Sequence, residues 1–179
     1  PDATIEQIIR MDLLGQTIVF TAQGVPFFYA GEEVLRDKKG VHNTYQSPDS
    51  INEIDWTNKV KYAEVYNYYR NLIALRKAHP AFRMNDATQV AQAINFVETP
   101  ANVVAYSLNG NIANDTWNKI FIIYNGNTTD IEIELPEGLT EIRGSTFENC
   151  TSLEKVTIPD SVTRIGGHAF RGDSSLREV

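Results

Sequence analysis

The stretch Gly31-Glu32-Glu33-Val34-Leu35-Arg36, continuing through Gly40-Val41-His42-Asn43-Thr44-Tyr45 and Pro48-Asp49-Ser50-Ile51-Asn52-Glu53-Ile54-Asp55-Trp56, has neither the helical nor the strand period of hydrophobicity. It reads as a long polar loop with turn residues at Lys39-Gly40 and Ser47-Pro48-Asp49. A loop of that length inside a compact domain is usually functional. Its flanks place it. Upstream, Val25-Pro26-Phe27-Phe28-Tyr29-Ala30 is a nearly continuous apolar run, the pattern of a strand buried on both faces, with Pro26 tolerated at its start. Downstream, Val60, Val65, Tyr66, Tyr69, Leu72, Ile73 and Leu75 recur at helical spacing until Pro80 stops the helix after His79. The four tyrosines Tyr62, Tyr66, Tyr68 and Tyr69 are expected to pack against a core rather than stack on a ligand.

Further upstream a helix is predicted from Thr4, which can cap it with Gln7 closing a capping box. Ile5, Ile8, Ile9, Met11, Leu14, Ile18 and Val19 give it a wide apolar face, and Gly24 ends it. After Met84 the pattern becomes strand-like: Thr88 to Ala93, Ile94 to Val97, Val103 to Leu108, Lys119 to Tyr124 and Asp130 to Leu135. Turns fall at Thr99-Pro100, Asn109-Gly110 and Asn125-Gly126, and Ile120-Phe121-Ile122-Ile123 is expected to be a central strand.

From about Leu135 the chain repeats itself. Laying Pro136 on Pro159 sets the offset, and at that offset Leu139 meets Val162, Ile142 meets Ile165, Gly144 meets Gly167, Phe147 meets Phe170, Leu153 meets Leu176 and Val156 meets Val179. The spacing falls in the window of about 20–29 residues that leucine-rich repeats occupy. Cys150 falls at an inward-looking position, where a buried structural thiol is expected.

The 179 residues carry a formal charge of −7. That balance, and basic groups (Arg36, Lys38, Lys39; Lys59, Lys61) expected to be answered by nearby acids, argue against a nucleic-acid partner. No apolar run reaches the length of a membrane span. A single cysteine excludes an internal disulfide, and His42, His79 and His168 have no ligand spacing, so no metal or other cofactor is expected.

The loop from Gly31 to Trp56, with the preceding helix (Asp2 to Gln23), the run Val25 to Ala30 and the helix and exit from Val60 to Met84, resembles the end of the barrel in type I pullulanases. These are starch-debranching glycosidases of the α-amylase superfamily. The wording Ile158-Pro159-Asp160-Ser161-Val162-Thr163, then Ile165-Gly166, Ala169-Phe170 and Ser174-Ser175-Leu176, resembles the leucine-rich repeats of bacterial surface proteins of the BspA type. Together the resemblances imply a mixed α/β chain: a terminal βα segment of a (β/α)8 barrel (1–84), a partial antiparallel β-sandwich (85–135), then two leucine-rich repeats (136–179). In the pullulanase family the three catalytic carboxylates lie on earlier strands. The resemblance therefore implies no catalytic residue here and a chain inactive by itself, the expectation for a piece that opens on Pro1 without an initiator methionine and stops mid-repeat at Val179. The strand Val25 to Ala30 would then lack its barrel neighbours, which predicts poor solubility or self-association.

Sugars are held by short polar side chains in paired hydrogen bonds with an aromatic face beneath the ring, and Arg36, Asn43, Tyr45, Asp49 and Asn52 supply those types within one loop. By resemblance the loop lines a glucan cleft, with Asp49 and Tyr45 toward the substrate, although Val34 and Asp37 depart from the family pattern. The competing reading pairs Arg36 with an acid and makes Asn43 and Asn52 supports of the loop backbone. Glu32 and Glu33 are expected to bond neighbouring loops, since adjacent carboxylates on an extended chain point apart. Trp56 is expected to cover the mouth of the second helix and Trp117 to sit in a hairpin. The partners implied are an α-glucan and, through the repeats, a protein; the repeat type points to a secreted or cell-surface location. Two other functions stay open: a repeat-based adhesion protein, and a fusion of two unrelated sequences at Leu135-Pro136.

Overall fold

A computed structural model of the chain describes residues 3–129, 131, 132, 135, 138–144, 146, 147, 153 and 155–179. The chain divides into two compact units, Pro1–Arg83 and Met84–Val179.

The first unit is a helix pair. Helix α1 (Ile5–Thr21) opens with the expected capping box: Gln7 N donates to Thr4 Oγ1 at 3.3 Å, and Thr4 N donates to Gln7 Oε1 at 2.9 Å. Beyond the loop come two single turns, α2 (Asp49–Asn52) and α3 (Asn58–Lys61), then the long α4 (Ala63–Ala78). The predicted second helix therefore starts later than Val60, at a break where Tyr62 has φ −117° and ψ 46°. Phe20 of α1 packs with Val65, Tyr69 and Leu72 of α4, and Ile9, Leu13, Phe28, Leu35 and Tyr62 close around them. Ring centroids of Phe20, Phe28 and Tyr69 lie 5.4 to 6.4 Å apart, a range worth about 0.5–1.5 kcal/mol per pair beyond burial alone.

Positions 65, 69 and 72 belong to the expected stripe, but its fourth member is Arg76, only 6% exposed. Its guanidinium donates to the carbonyls of Phe20 (2.9 Å), Ala22 (2.7 Å) and Gly24. Helix α1 has no basic residue in its last turn. Arg76 therefore satisfies from α4 the carbonyls that a helix C-terminus leaves open. Arg83 repeats the device on α4 itself, donating to the carbonyls of Arg76 and Lys77 at 3.2 Å.

The predicted strand Val25 to Ala30 does not form. A strand is defined by its ladder, and among the described residues no segment pairs with this one. Phe28 turns toward the core, while Val25 and Phe27 are 95% and 85% exposed. On the far side of α1 from its core, Met11 (69% exposed) and Ile18 also face outward. Half of the wide stripe read from the sequence is thus an uncovered surface.

The second unit starts with a correction. Thr88 to Ala93, read as a strand, is helix α5 (Ala87–Ala93). Asp86 Oδ1 accepts from Thr88 N (2.7 Å) and Gln89 N (3.1 Å), and alanine and glutamine fill the body, so cap and propensity together favour helix. The strands β1 (Ile94–Val97), β2 (Val103–Asn109) and β3 (Lys119–Asn125) follow as expected. They form one antiparallel sheet in that order, with Leu108 between Ile94 and Ile120. Beneath lie Tyr106, Leu108, Ile120, Ile122 and Tyr124, all buried. The expected strand at Asp130 to Leu135 lies largely outside the described residues; Ile131, Glu132 and Leu135 are not in a strand. Cys150 also lies outside them.

The short strands β4 (Glu141–Ile142) and β5 (Arg164–Ile165) pair in parallel, and Lys155 bridges Glu178 in the same sense. Both pairings join residues one sequence period apart, so the period is a physical stacking distance. Phe147 and Phe170 stack at 5.2 Å with planes 10° apart. The backbones approach so closely that a Cβ on Gly144 would sit 2.8 Å from the Gly167 carbonyl oxygen, and one on Gly166 would be 2.8 Å from the Arg143 carbonyl carbon.

Candidate functional site

Gly31 begins the loop with φ 98°, where a Cβ would lie 2.8 Å from Arg36 Cδ. A 3₁₀ turn over Glu32–Val34 follows, closed by Leu35 N donating to Glu32 O at 2.9 Å. Leu35 leaves that turn left-handed (φ 54°), an unfavourable conformation for a leucine that its packing on the helix core holds in place. The two reversals fold the chain back so that Arg36 N donates to Gly31 O at 2.9 Å. The glutamates thus sit in a turn, not on an extended chain. Glu33 Oε2 accepts from Gly31 N (3.0 Å) and Glu32 Oε2 from Gln16 Nε2 (3.0 Å).

Arg36 ties the loop's two ends. It donates to the carbonyls of Ala30 (3.1 Å), Glu53 (3.3 Å) and Asn52, with its guanidinium 5.2 Å from the Tyr29 ring centre. Asn52 ties the middle. Its Nδ2 donates to Thr44 O (2.9 Å) and Ser47 O (2.8 Å), and its Oδ1 accepts from Lys38 Nζ at 2.6 Å. Lys39 Nζ adds a bond to Ser50 O at 2.7 Å. Asn43 Oδ1 accepts from Tyr45 N at 3.2 Å, an Asx turn at the loop tip. The guanidinium of Arg36, the side-chain amide of Asn52 and the Oδ1 of Asn43 are therefore engaged in holding the loop.

Tyr45 and Asp49 are placed differently. Tyr45 is 88% exposed, Asp49 is exposed at the start of α2, and no described residue hydrogen-bonds either side chain. Trp56 is 60% exposed. Beside it Thr57 donates from N (3.0 Å) and Oγ1 (2.6 Å) to Asp55 Oδ1, which holds that carboxyl below its ordinary value.

The basic groups are answered mostly by carbonyls, an amide and aromatic rings rather than acids. Lys38 lies 5.7 Å from the Tyr29 ring, Lys59 4.3 Å from Tyr66 and Lys61 4.9 Å from Tyr62. Lys38 and Tyr29 thus belong to the loop's support, which no sequence motif announced. Below the loop, Tyr69 donates to Asp12 Oδ2 at 2.9 Å. Burial raises the Asp12 carboxyl above its ordinary value, outweighing that bond, and burial followed by Asp12 raises the Tyr69 phenol. Among the described residues no group of three or more His, Cys, Asp or Glu side chains could hold a metal ion. No helix among them is long and apolar enough to cross a membrane.

Residues 90–142 match the family described as "Pullulanase, all-beta domain", and residues 121–179 match "BspA type Leucine rich repeat region (6 copies)". The two matches overlap over residues 121–142, from within β3 through β4. A pullulanase of Bacillus subtilis is 39% identical over 126 residues, 70% of this chain and 18% of that protein. The solved pullulanase of Bacillus acidopullulyticus is 46% identical with a TM-score of 0.73, covering 77% of this chain and 17% of that one. A pullulanase of Paenibacillus barengoltzii, solved as a complex with maltotetraose, is 38% identical with a TM-score of 0.74, covering 78% of this chain and 22% of that one. The chain spans about a fifth of the length of these relatives.

Proposed function

We propose that this chain, a pullulanase-like segment joined to BspA-type leucine-rich repeats, supplies the closing part of a glycosidase that debranches starch or pullulan. What carries the proposal is the division of labour in the loop 31–56. Arg36, Lys38 and Asn52 are spent on holding its backbone, and Tyr45 and Asp49 are left facing outward. A site residue needs that arrangement: a fixed backbone beneath and a free polar or aromatic head above. In the proposal Tyr45 lays its ring against a glucose unit and Asp49 accepts hydrogen bonds from sugar hydroxyls.

The uncovered face of α1, with Val25 and Phe27, is assigned to packing against the rest of a (β/α) barrel, where Val25 to Ala30 gains strand neighbours. The acid and the nucleophile of a retaining α-1,6 hydrolysis belong to that rest, and this chain alone is expected to be inactive. The divisions 1–84, 85–135 and 136–179, the last with two repeats, are part of the same proposal. A second reading, a repeat-based adhesion protein with the glycosidase part as scaffold, draws on the repeat match over 121–179.

The test is complementation. This chain is co-expressed with the Bacillus subtilis pullulanase lacking its matched segment of 126 residues. Recovered pullulan hydrolysis, with KM raised by Tyr45→Ala or Asp49→Ala, is the expected result. A pair that associates but stays inactive refutes the enzymatic reading, and hydrolysis by this chain alone refutes its dependence on the rest.

A further inference from the structure

We infer that the three-stranded sheet, with Glu132, forms the N-terminal cap of the leucine-rich repeats, holding the first coil through Trp117 and Glu132. A solenoid coil is apolar on both stacking sides and contacts only its neighbours, so its first coil needs a cap. Three observations in the second unit meet that need.

First, the Arg143 guanidinium lies 4.2 Å from the Trp117 ring, linking the β2–β3 connection to the residue after β4. Arg143 is held there by Glu141 at 3.4 Å, and Glu141 also reaches Arg164 of β5 at 3.5 Å. One chain of contacts thus runs from the sheet through the first coil to the second. Second, the charges alternate along the sequence period. Glu132, Lys155 and Glu178 stand at successive steps of the same period that separates the paired strands. Lys155 Nζ meets Glu178 Oε1 at 2.8 Å, and its ammonium is held above its ordinary value first by Glu178 and also by the charge of Glu132. Glu132 thus stands one period before Lys155 in the sequence and acts on its ammonium by charge. Third, the repeat match begins at residue 121, inside β3. On this inference the sheet and the repeats are one folding unit.

Hydrogen exchange on the full chain tests it, read at two second-coil amides that touch neither Trp117 nor Glu132. These are Thr163 N, bonded to Thr140 O at 2.9 Å, and Gly166 N, bonded to Ile142 O at 2.7 Å. A half-exposed cation–π contact corresponds to about a two- to fivefold loss of protection at both amides in Trp117→Ala and in Arg143→Ala. The double variant should lose no more than the larger single loss. Glu132→Gln should speed exchange at Val156 N, which donates to Glu178 O, and added salt should erase that difference. Because Trp117→Ala could unfold the sheet itself, Arg143→Ala decides. Wild-type exchange at Thr163 and Gly166 in that variant overturns the inference, as does full additivity in the double variant.

Discussion

Replacing Arg76 by alanine removes the only basic group that reaches the C-terminal carbonyls of α1 among the described residues. A hydrogen bond to a charged donor is worth about 1.5–3 kcal/mol net, yet three such bonds do not sum here. The Phe20 bond is buried, whereas those to Ala22 and Gly24 are partly open and water would replace them. One full loss, two partial ones and the vacated stem give about 2–4 kcal/mol for the first unit. For a unit of this size that is roughly 10–20 °C in Tm. The chain allows a clean assay, because Trp56 and Trp117 lie in different units. In a Trp117→Phe background, fluorescence during urea unfolding follows the first unit alone. Arg76→Lys should recover less than half of the loss, since an ammonium cannot reproduce the fork. A midpoint shift for Arg76→Ala no larger than that of an ordinary surface substitution, about 0.5 kcal/mol, would show the α1 terminus to be satisfied without it.

Asp12→Asn should stabilise the first unit at pH 7. Burial raises the folded carboxyl above 3.8, so its stabilising protonation is complete below that value and is lost as pH rises through the folded one. Melts from pH 4 to 8 should slope downward in the wild type and flatten in the variant; equal slopes would sink the idea. Gly31→Ala should cost about 1–3 kcal/mol, from the positive φ and the Arg36 contact, and speed proteolysis within residues 37–56. Wild-type cleavage rates would contradict it. Tyr45→Ala and Asp49→Ala should leave the melt within about 0.5 kcal/mol, because neither side chain supports the fold. A larger drop would make them structural.

What the sequence reveals and what it hides follow from the range of each interaction. Thr4 and Gln7 form their box within one turn, and Val65, Tyr69 and Leu72 share a face by helical geometry alone, so both are legible. The ladder from Val103 to Asn125 and the beat of the repeats are equally local or periodic. Arg76 is different: it looks like a surface arginine until α1, far earlier in the chain, offers it three carbonyls. The run Val25 to Ala30 misleads in the opposite way, because apolarity reports a wish for neighbours and not their presence. Thr88 to Ala93 was decided by Asp86, just outside the apparent strand. Within the candidate loop, the sequence identified the polar types. Only the geometry separates Arg36 and Asn52, whose atoms are engaged, from Tyr45 and Asp49, whose atoms are not.

The glycines where the coils touch set a rule for how this part of the chain can change length. Gly144 and Gly166 sit where any side chain would strike the backbone of the adjoining coil. Slipping the register by a residue or two would bring Arg143, Ser145 or Ile165 into those places. Growth and shrinkage by small steps are thereby blocked, while insertion or removal of one whole period restores glycine opposite backbone, phenylalanine opposite phenylalanine and strand opposite strand. Length in this half of the molecule is quantised, and a designer lengthening it should cut at equivalent positions one coil apart.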